Sequence, residues 1–285
     1  MNKYLIVLLM VLISWSGING QSFGIRAGLN YTKFSGPVEQ GVNERFSLTN
    51  GFHFGVNYAY KFADIFSVKG ELLYTQIGSK YNFDGDSYYK VPIGTGFYYE
   101  KGFTSINLKV SNAYVSLPIT FQWELSKKLE VFAGGYVSYL VGPRGNGTLY
   151  FTQYTETIGI KQSLIHNYYS DVAGGIATST LGPWLEVGGK TVQLYRDAGA
   201  YYNLLASEKE ADLYKSMDYG LLGGFNYFIN KGFYVGLRYE YGLRDVTDNR
   251  VDFIKKSFDE DNNVGIKAEH FDRNVGFEVS FGFRF

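Results

Sequence analysis

The sequence predicts an all-β fold, a closed antiparallel barrel of eight strands, from three features of the chain. Tyr (26 residues) and Phe (23) are abundant beside 35 Gly, a composition that favours strands over helices. Eight segments alternate bulky apolar side chains with small or polar ones, which is the period of a strand with two unlike faces. The connections between these segments alternate between short and long, as expected when antiparallel strands run up and down a barrel.

Composition and charge exclude several classes of function. Lys plus Arg and Asp plus Glu both number 27, so no basic field is available to attract nucleic acid, and no nucleic-acid partner is expected. The absence of cysteine excludes disulfides, thiol catalysis, thiolate metal sites and a lipoprotein anchor. With only three histidines, a histidine-based zinc site is not expected either. The sequence therefore predicts no metal site and no cofactor.

Residues 1–20 have the pattern of a secretory signal peptide. Lys3 precedes an apolar run from Tyr4 to Trp15, and small or polar residues follow up to Gly20. The run is shorter than the roughly 20 residues that a spanning helix needs, so an uncleaved anchor is the less favoured alternative. We expect cleavage after Gly20, which leaves residues 21–285 as one barrel domain.

The predicted strands follow one another along residues 21–285, and the last shows the alternation most clearly. Its odd-numbered positions from Val275 to Phe285 are all Val or Phe, whereas its even-numbered positions are small, polar or charged. The second strand repeats this design with apolar residues at even-numbered positions from Phe52 to Phe62. The eight predicted strands span residues 22–34, 50–62, 66–77, 113–123, 131–141, 217–228, 233–243 and 274–285.

The connections predict which end of the barrel faces which compartment. Three are brief turns, at residues 63–65, 124–130 and 229–232, and four are long, at residues 35–49, 78–112, 142–216 and 244–273. An even strand count with short periplasmic turns and long extracellular loops is the plan of an outer-membrane barrel. One alternative stays open: Leu149–Ile158 and Trp184–Leu194 form a hairpin in the third long segment, and ten strands result if both arms cross the membrane.

The volume of the side chains in the two rows of each strand decides which row faces outward. An eight-stranded barrel has an interior just wide enough to be filled by side chains, so rows of five or six Phe, Tyr, Val and Leu do not fit inside. Facing outward, they form an apolar belt that lipid stabilises, and closure leaves no unpaired strand edge in the hydrocarbon. We therefore expect a location in the bacterial outer membrane, with membrane lipid and lipopolysaccharide as partners. A soluble barrel is the alternative.

The opposite rows place charged residues of both signs inside the barrel. Because an unpaired charge in a narrow lumen is costly, we expect a paired polar network that plugs the barrel. A proton or ion path is the sharper alternative. The inward-facing positions are Arg26, His53, Lys69, Glu71, Asp218, Arg238, Glu240, Glu278 and Arg284.

Several segments together resemble the PorT-like outer-membrane β-barrel family of Bacteroidota, over nearly all of residues 21–285. These segments are Gly24–Asn30, Gly70–Tyr74, Tyr114–Pro118, Ala133–Leu140, Asp218–Leu221 and Leu237–Leu243. The resemblance implies an outer-membrane barrel. The member that names the family is tied to type IX secretion and gliding, so an envelope or secretion protein is a further expected partner, although this role does not transfer by default. Where members often carry a glutamate before the Ile/Leu-Pro pair, this chain has Ser116.

The C-terminal residues also resemble a targeting signal. Phe281, Phe283 and Phe285 form an apolar pattern that ends in a terminal aromatic residue. This looks like the signal that the barrel-assembly machinery reads, so that machinery is an expected partner.

An aromatic patch falls in the second long segment, where it has two readings. Its aromatic faces could stack on sugars or on a partner protein. The favoured alternative is that both arms of this segment continue the third and fourth strands above the bilayer and pack on each other. The patch consists of Tyr88, Tyr89, Phe97, Tyr98 and Tyr99.

Three functions are compatible with such a barrel. The leading one is a non-enzymatic barrel whose loops bind at the cell surface or whose body supports an envelope or secretion assembly. The second is an outer-membrane enzyme acting on lipid A, phospholipid or peptide, with His270 beside Asp272 and Glu269 and a loop serine as nucleophile. The third is a narrow porin. A loose divalent-cation contact at residues 259–263 is an alternative to a solvated acidic loop.

Overall fold

The computed structural model describes residues 20–93, 96–154, 159–178, 180–187, 189–259 and 264–285. The predicted signal peptide, apart from Gly20, lies outside the described residues. No helix in these ranges is long and apolar enough to cross a membrane. The strands are β1 (Gln21–Ser35), β2 (Asn43–Ser47), β3 (Thr49–Ala63), β4 (Phe66–Ile93), β5 (Gly96–Glu124), β6 (Leu129–Gln153), β7 (Gly159–Asn167), β8 (Leu181–Val187), β9 (Lys190–Tyr195), β10 (Asp197–Ala198), β11 (Met217–Phe228), β12 (Phe233–Gly242), β13 (Phe253–Asp259), β14 (Val264–Lys267) and β15 (Arg273–Arg284).

Eight of these strands close into an antiparallel ring. Strand β1 pairs with both β3 and β15, and the ring continues from β3 through β4, β5, β6, β11 and β12 back to β15. The predicted eight-stranded barrel is confirmed. The ten-stranded alternative is wrong, because Leu149–Gln153 belongs to β6 and pairs with β7, whereas β8 and β9 pair with each other in a separate sheet.

The two faces of the ring differ as the alternation predicts. On β3 the apolar residues in the row from Phe52 to Phe62 point outward, and each is 38% to 54% exposed. The alternate row points inward and includes His53, which is 1% exposed, and Asn57, which is 8% exposed. The bulky apolar belt therefore lies on the outside of the ring, as the sequence predicts for a barrel that is surrounded by lipid.

Three barrel strands continue far beyond the predicted membrane segments. Strands β4 and β5 stay paired from Phe66 and Trp123 up to Ile93 and Gly96, so the segment 78–112, predicted as a loop, is mainly the two arms of a long hairpin. Strand β6 extends beside them, and β7 adds to its free edge. This agrees with the favoured reading of that segment.

The extensions form the wall of an extracellular head. We use this name for the described residues within 36–48, 78–112, 142–216 and 244–272. Strand β2 pairs with the extension of β4, and β10 pairs with β7 in parallel. The hairpins β8–β9 and β13–β14 complete the head. Its interior holds most of the molecule's buried apolar side chains.

The inner face of β5 changes polarity near residue 112. For this reason the apolar residues of β5 lie at even-numbered positions before residue 112 and at odd-numbered positions after it. Along β5, Ile106, Leu108 and Val110 are buried on the same face as Ser116 and Thr120. The strand does not turn over; instead its inner row changes from polar in the lumen to apolar in the head. A register shift between Ala113 and Tyr114 marks the boundary.

Candidate functional site

The barrel interior brings together six of the predicted inward-facing charges. We call this group the lumen network, made of Arg26, Lys69, Glu71, Arg238, Glu240 and Glu278. Glu71 lies at its centre: its Oε2 is 3.1 Å from Arg26 Nη1 and its Oε1 is 3.2 Å from Lys69 Nζ. Arg238 Nη2 also donates to Glu71 Oε2. Three formal positive charges meet three formal negative charges in this network.

A second carboxylate links the other side of the network. Glu278 Oε2 lies 2.6 Å from Arg26 Nη2 and 3.6 Å from Arg238 Nη1. Glu240 Oε1 lies 3.5 Å from the same Nη1 atom. The guanidinium groups of Arg26 and Arg238 therefore each bridge carboxylates that come from different strands, which ties β1, β4, β12 and β15 together across the lumen.

His53 lies beside this network, with Nδ1 3.9 Å from Glu278 Oε1, and hydrogen-bonds to neutral groups. One ring nitrogen, Nδ1, is 2.6 Å from Asn30 Oδ1, and the other, Nε2, is 3.2 Å from Ser280 Oγ. Ser280 also accepts a hydrogen bond from Arg26 Nε at 2.9 Å. His53 thus continues the polar filling of the lumen toward the extracellular end.

Two predicted inward-facing residues lie apart from the lumen network. Asp218 lies nearer the head, where its Oδ2 accepts hydrogen bonds from Tyr136 OH at 3.3 Å and Asn274 Nδ2 at 2.9 Å. Arg284 lies at the periplasmic end, with Nη1 3.1 Å from Glu130 Oε2. Glu130 is 2% exposed, although it lies one residue outside the predicted strand and so falls outside the predicted inward-facing set.

The predicted aromatic patch is not a single exposed platform. Tyr88 and Tyr89 are buried in the head, where the Tyr88 OH donates to Ile254 O at 3.2 Å and the Tyr89 OH donates to Gln162 Oε1 at 2.7 Å. Tyr98 is exposed. The ring of Tyr99 meets that of Tyr88 edge-on at 5.5 Å. The side chain of Phe97 lies outside the described residues.

The head encloses a cavity of about 200 Å³ above the barrel. Strands β1, β5, β6 and β7 supply an apolar wall, and residues within 200–214, 247–255 and 268–272 also line the cavity. The sequence does not predict this cavity, because most of its wall lies in segments that are predicted as loops. The apolar wall consists of Phe34, Ile106, Leu108, Val110, Leu149 and Leu164.

Two polar side chains that line the cavity are buried with an unpartnered atom. In the described part of the chain, His166 Nε2 and Asp272 Oδ1 have no hydrogen-bond partner, and the residues are 7% and 5% exposed. His166 Nδ1 lies 3.0 Å from Tyr168 OH, and Asp272 Oδ2 accepts from Thr247 Oγ1 at 3.2 Å. Burial lowers the pKa of His166 to about 4 and raises the pKa of Asp272 to about 6.

The residues of the enzyme alternative do not form a nucleophile and base pair in the described chain. Asp272 and His270 both line the cavity. The backbone oxygen of His270 accepts from Asn249 Nδ2, but no described serine hydroxyl hydrogen-bonds to its ring. Residues 260–263, where a divalent-cation contact was considered, lie outside the described residues. Elsewhere in the described ranges, no group of three or more His, Asp or Glu is placed to hold a metal ion.

The C-terminal aromatic residues lie on the outer face at the periplasmic end. Phe281 and Phe285 are 56% and 73% exposed. The rings of Phe283 and Phe285 are 4.9 Å apart, and Phe285 N donates to Phe23 O. Their role as an assembly signal stays a prediction.

Comparison with known proteins places the chain in a family. Solved structures with a similar fold include Ail of Yersinia pestis (11% identity, TM-score 0.35, covering 94% of this chain and 100% of Ail). Neisserial surface protein A (13%, 0.38, 94% and 100%) and OprG of Pseudomonas aeruginosa (12%, 0.35, 93% and 96%) are also similar. No curated protein sequence matches. The family model described as outer membrane protein beta-barrel domain matches residues 19–248, and the chain therefore belongs to that family of outer-membrane proteins.

Proposed function

We propose that this protein is a non-enzymatic outer-membrane barrel that binds a ligand at the cell surface through its extracellular head. One observation carries the proposal: the head encloses a cavity directly above a lumen crossed by paired charges. Concave, mostly apolar sites with a few polar groups are the usual form of small-molecule binding sites. The resemblance to PorT-like proteins supports a second candidate function, in which the head contacts a protein of an envelope or secretion assembly.

The contacts of the lumen favour binding over transport. Arg238 is 0% exposed and lies between Glu71 and Glu278. Eight-stranded barrels are narrow. Barrels that hold an aqueous channel have about 16 strands or more. A porin function is therefore disfavoured by both the strand number and the occupants of the lumen.

The proposal is tested by comparing what co-purifies with three forms of the protein. The wild type, a Leu108→Trp variant that fills the cavity and a Lys109→Trp control are purified from native outer membranes in mild detergent. Leu108 lines the cavity, whereas its neighbour Lys109 points out of the head. Mass spectrometry of the extracted small molecules, lipids and proteins is the readout.

We expect one or more compounds with the wild type and the Lys109→Trp control that the Leu108→Trp variant lacks. Identical extracts from all three forms would contradict binding in the head. Expression of the protein followed by a changed mass of lipid A would instead support the enzyme alternative.

A further inference from the structure

The head cavity has an apolar wall and several charged lining residues. Its wall on β5, β6 and β7 is aliphatic, with Leu108, Leu149 and Leu164 among the lining residues. A cavity of about 150 Å³ accommodates benzene, so a cavity of about 200 Å³ fits a ring with a short chain, roughly ten non-hydrogen atoms. The size and the wall favour a small compound with one aromatic or branched apolar group.

The charged residues that line the cavity include more negative than positive groups. Among the lining residues four are carboxylates, Glu39, Glu44, Asp252 and Asp272, and one carries an ammonium group, Lys255. Lys255 Nζ lies over the ring of Tyr81, 5.0 Å from its centre. A ligand that carries a positive charge would offset this imbalance, whereas a second carboxylate would increase it.

Two of these carboxylates already have donors. Glu39 accepts two backbone N–H groups of β13, at 2.7 and 3.0 Å. Glu44 accepts the Tyr81 hydroxyl at 2.9 Å and the backbone N–H of Glu39 at 2.6 Å. By contrast, Asp272 Oδ1 is buried and unpartnered, and no ion pair of Asp272 occurs in the described ranges. A buried charge without a partner is costly, so Asp272 is the lining carboxylate that gains most from a cation nearby.

Resting on the function proposed above, we infer that the ligand of the head is a small amphiphilic amine. Its apolar group lies against the wall formed by Leu108, Leu149 and Leu164, and its ammonium group lies beside the Asp272 carboxylate, which lines the cavity. An alcohol of the same shape can donate to Asp272 but does not offset the negative charge, and the corresponding acid adds to it.

The inference is tested with three probes that share one apolar body: 4-phenylbutylamine, 4-phenylbutan-1-ol and 4-phenylbutanoic acid. Their dissociation constants are measured calorimetrically at pH 7.5 with the full chain in phosphatidylcholine nanodiscs, and empty nanodiscs correct for partition into lipid. The variants are Asp272→Asn and Asp248→Asn. The control Asp248 is paired with Arg250 at 2.7 Å and does not line the cavity.

We expect the amine to bind at least tenfold more tightly than the alcohol, and the acid to bind most weakly. Asp272→Asn should abolish this preference, whereas Asp248→Asn should keep it. Should Asp272→Asn fail to fold, as judged by its mobility in unheated gels, Leu108→Trp replaces it and should abolish saturable binding of the amine.

Two results would overturn the inference without affecting the proposed function. The first is equal affinity for the amine and the alcohol, or a preference that Asp272→Asn leaves unchanged. The second is no saturable binding of any probe at millimolar concentration while native extracts still differ between wild type and Leu108→Trp. If those extracts are also identical, the proposed function itself is contradicted.

Discussion

Glu71 is the residue on which the barrel interior depends most. Its carboxylate meets Arg26, Lys69 and Arg238, and its side chain is fully buried. In such a setting the attraction between charges has to offset the loss of hydration of every partner. Removing one charge therefore costs more than the same change at the surface, because the remaining charges stay buried without compensation.

We expect Glu71→Gln to lower the free energy of unfolding by about 3–5 kcal/mol, since it leaves buried cations uncompensated. Urea unfolding in detergent micelles provides the measurement. Glu124→Gln is the matched control, because Glu124 pairs with Lys61 at 3.0 Å with both side chains about one-third exposed, and such pairs contribute about 1 kcal/mol or less. Equal losses in both variants would show that the lumen network does not stabilise the barrel.

Asp272 gives the head a dependence of stability on pH. Burial raises the pKa of this carboxyl to about 6, and Asp252, Asp245 and His270 are the ionisable groups near it. The unfolded chain has a pKa of about 3.9 at this group. Between these values the folded state keeps a proton that the unfolded state has lost, so the free energy of unfolding falls as the pH rises from about 4 to about 6.

The variant Asp272→Asn lacks this group, so its free energy of unfolding relative to that of the wild type should rise by on the order of 2–3 kcal/mol between pH 4 and pH 7. Urea unfolding of both proteins at intermediate pH values measures the difference. Carboxyl groups distant from Asp272 are common to both proteins and cancel. A difference that stays constant with pH would show that Asp272 titrates normally.

The close packing of β1 between its two neighbouring strands depends on a glycine. Gly28 lies between His53 on β3 and Ser280 on β15 in the register of the sheet. A Cβ atom at this position would lie 2.7 Å from His53 Cε1 and 2.1 Å from Val279 O. The glycine thus leaves the space in which the His53 ring reaches across β1 to Ser280.

Gly28→Ala should therefore destabilise the barrel by about 1–3 kcal/mol through overpacking. Gly70→Ala is the matched control, because a Cβ atom at Gly70 meets nothing within 4 Å, and the change should be neutral or slightly stabilising. Thermal unfolding followed by circular dichroism compares the two. Similar melting temperatures for both variants would contradict the close packing of β1.

The sequence predicts those parts of the fold in which the outer face is apolar and the inner face is polar. Rows such as Phe52–Phe62 face lipid and alternate with a polar interior, so their period identifies the membrane strands. In the head the apolar row Ile106–Val110 faces inward instead, and the inversion makes β5 look as if it begins after Asn112. The cavity arises from pairings between distant segments, and no local pattern in Asp272 or His166 indicates that they line one space.

The apolar belt sets the position of the whole molecule in the membrane. Ile119, in the membrane part of β5, and Val172, in the head, are both 63% exposed. Ile119→Arg should cost about 2–4 kcal/mol in lipid vesicles, because it places a charge against hydrocarbon. Val172→Arg should change the stability by less than about 0.5 kcal/mol, as exposed positions in water do. Equal effects in vesicle unfolding experiments would contradict the membrane position of the belt.

The division of the molecule into a closed barrel and a binding head is tested most directly by planar bilayer recordings of the purified wild type. Because the lumen network crosses the interior of a narrow ring, we expect no steady single-channel conductance, while an open porin added to the same bilayer gives stable steps. Stable ohmic steps from the wild-type protein would contradict a closed lumen and assign the function to the barrel interior instead of the head.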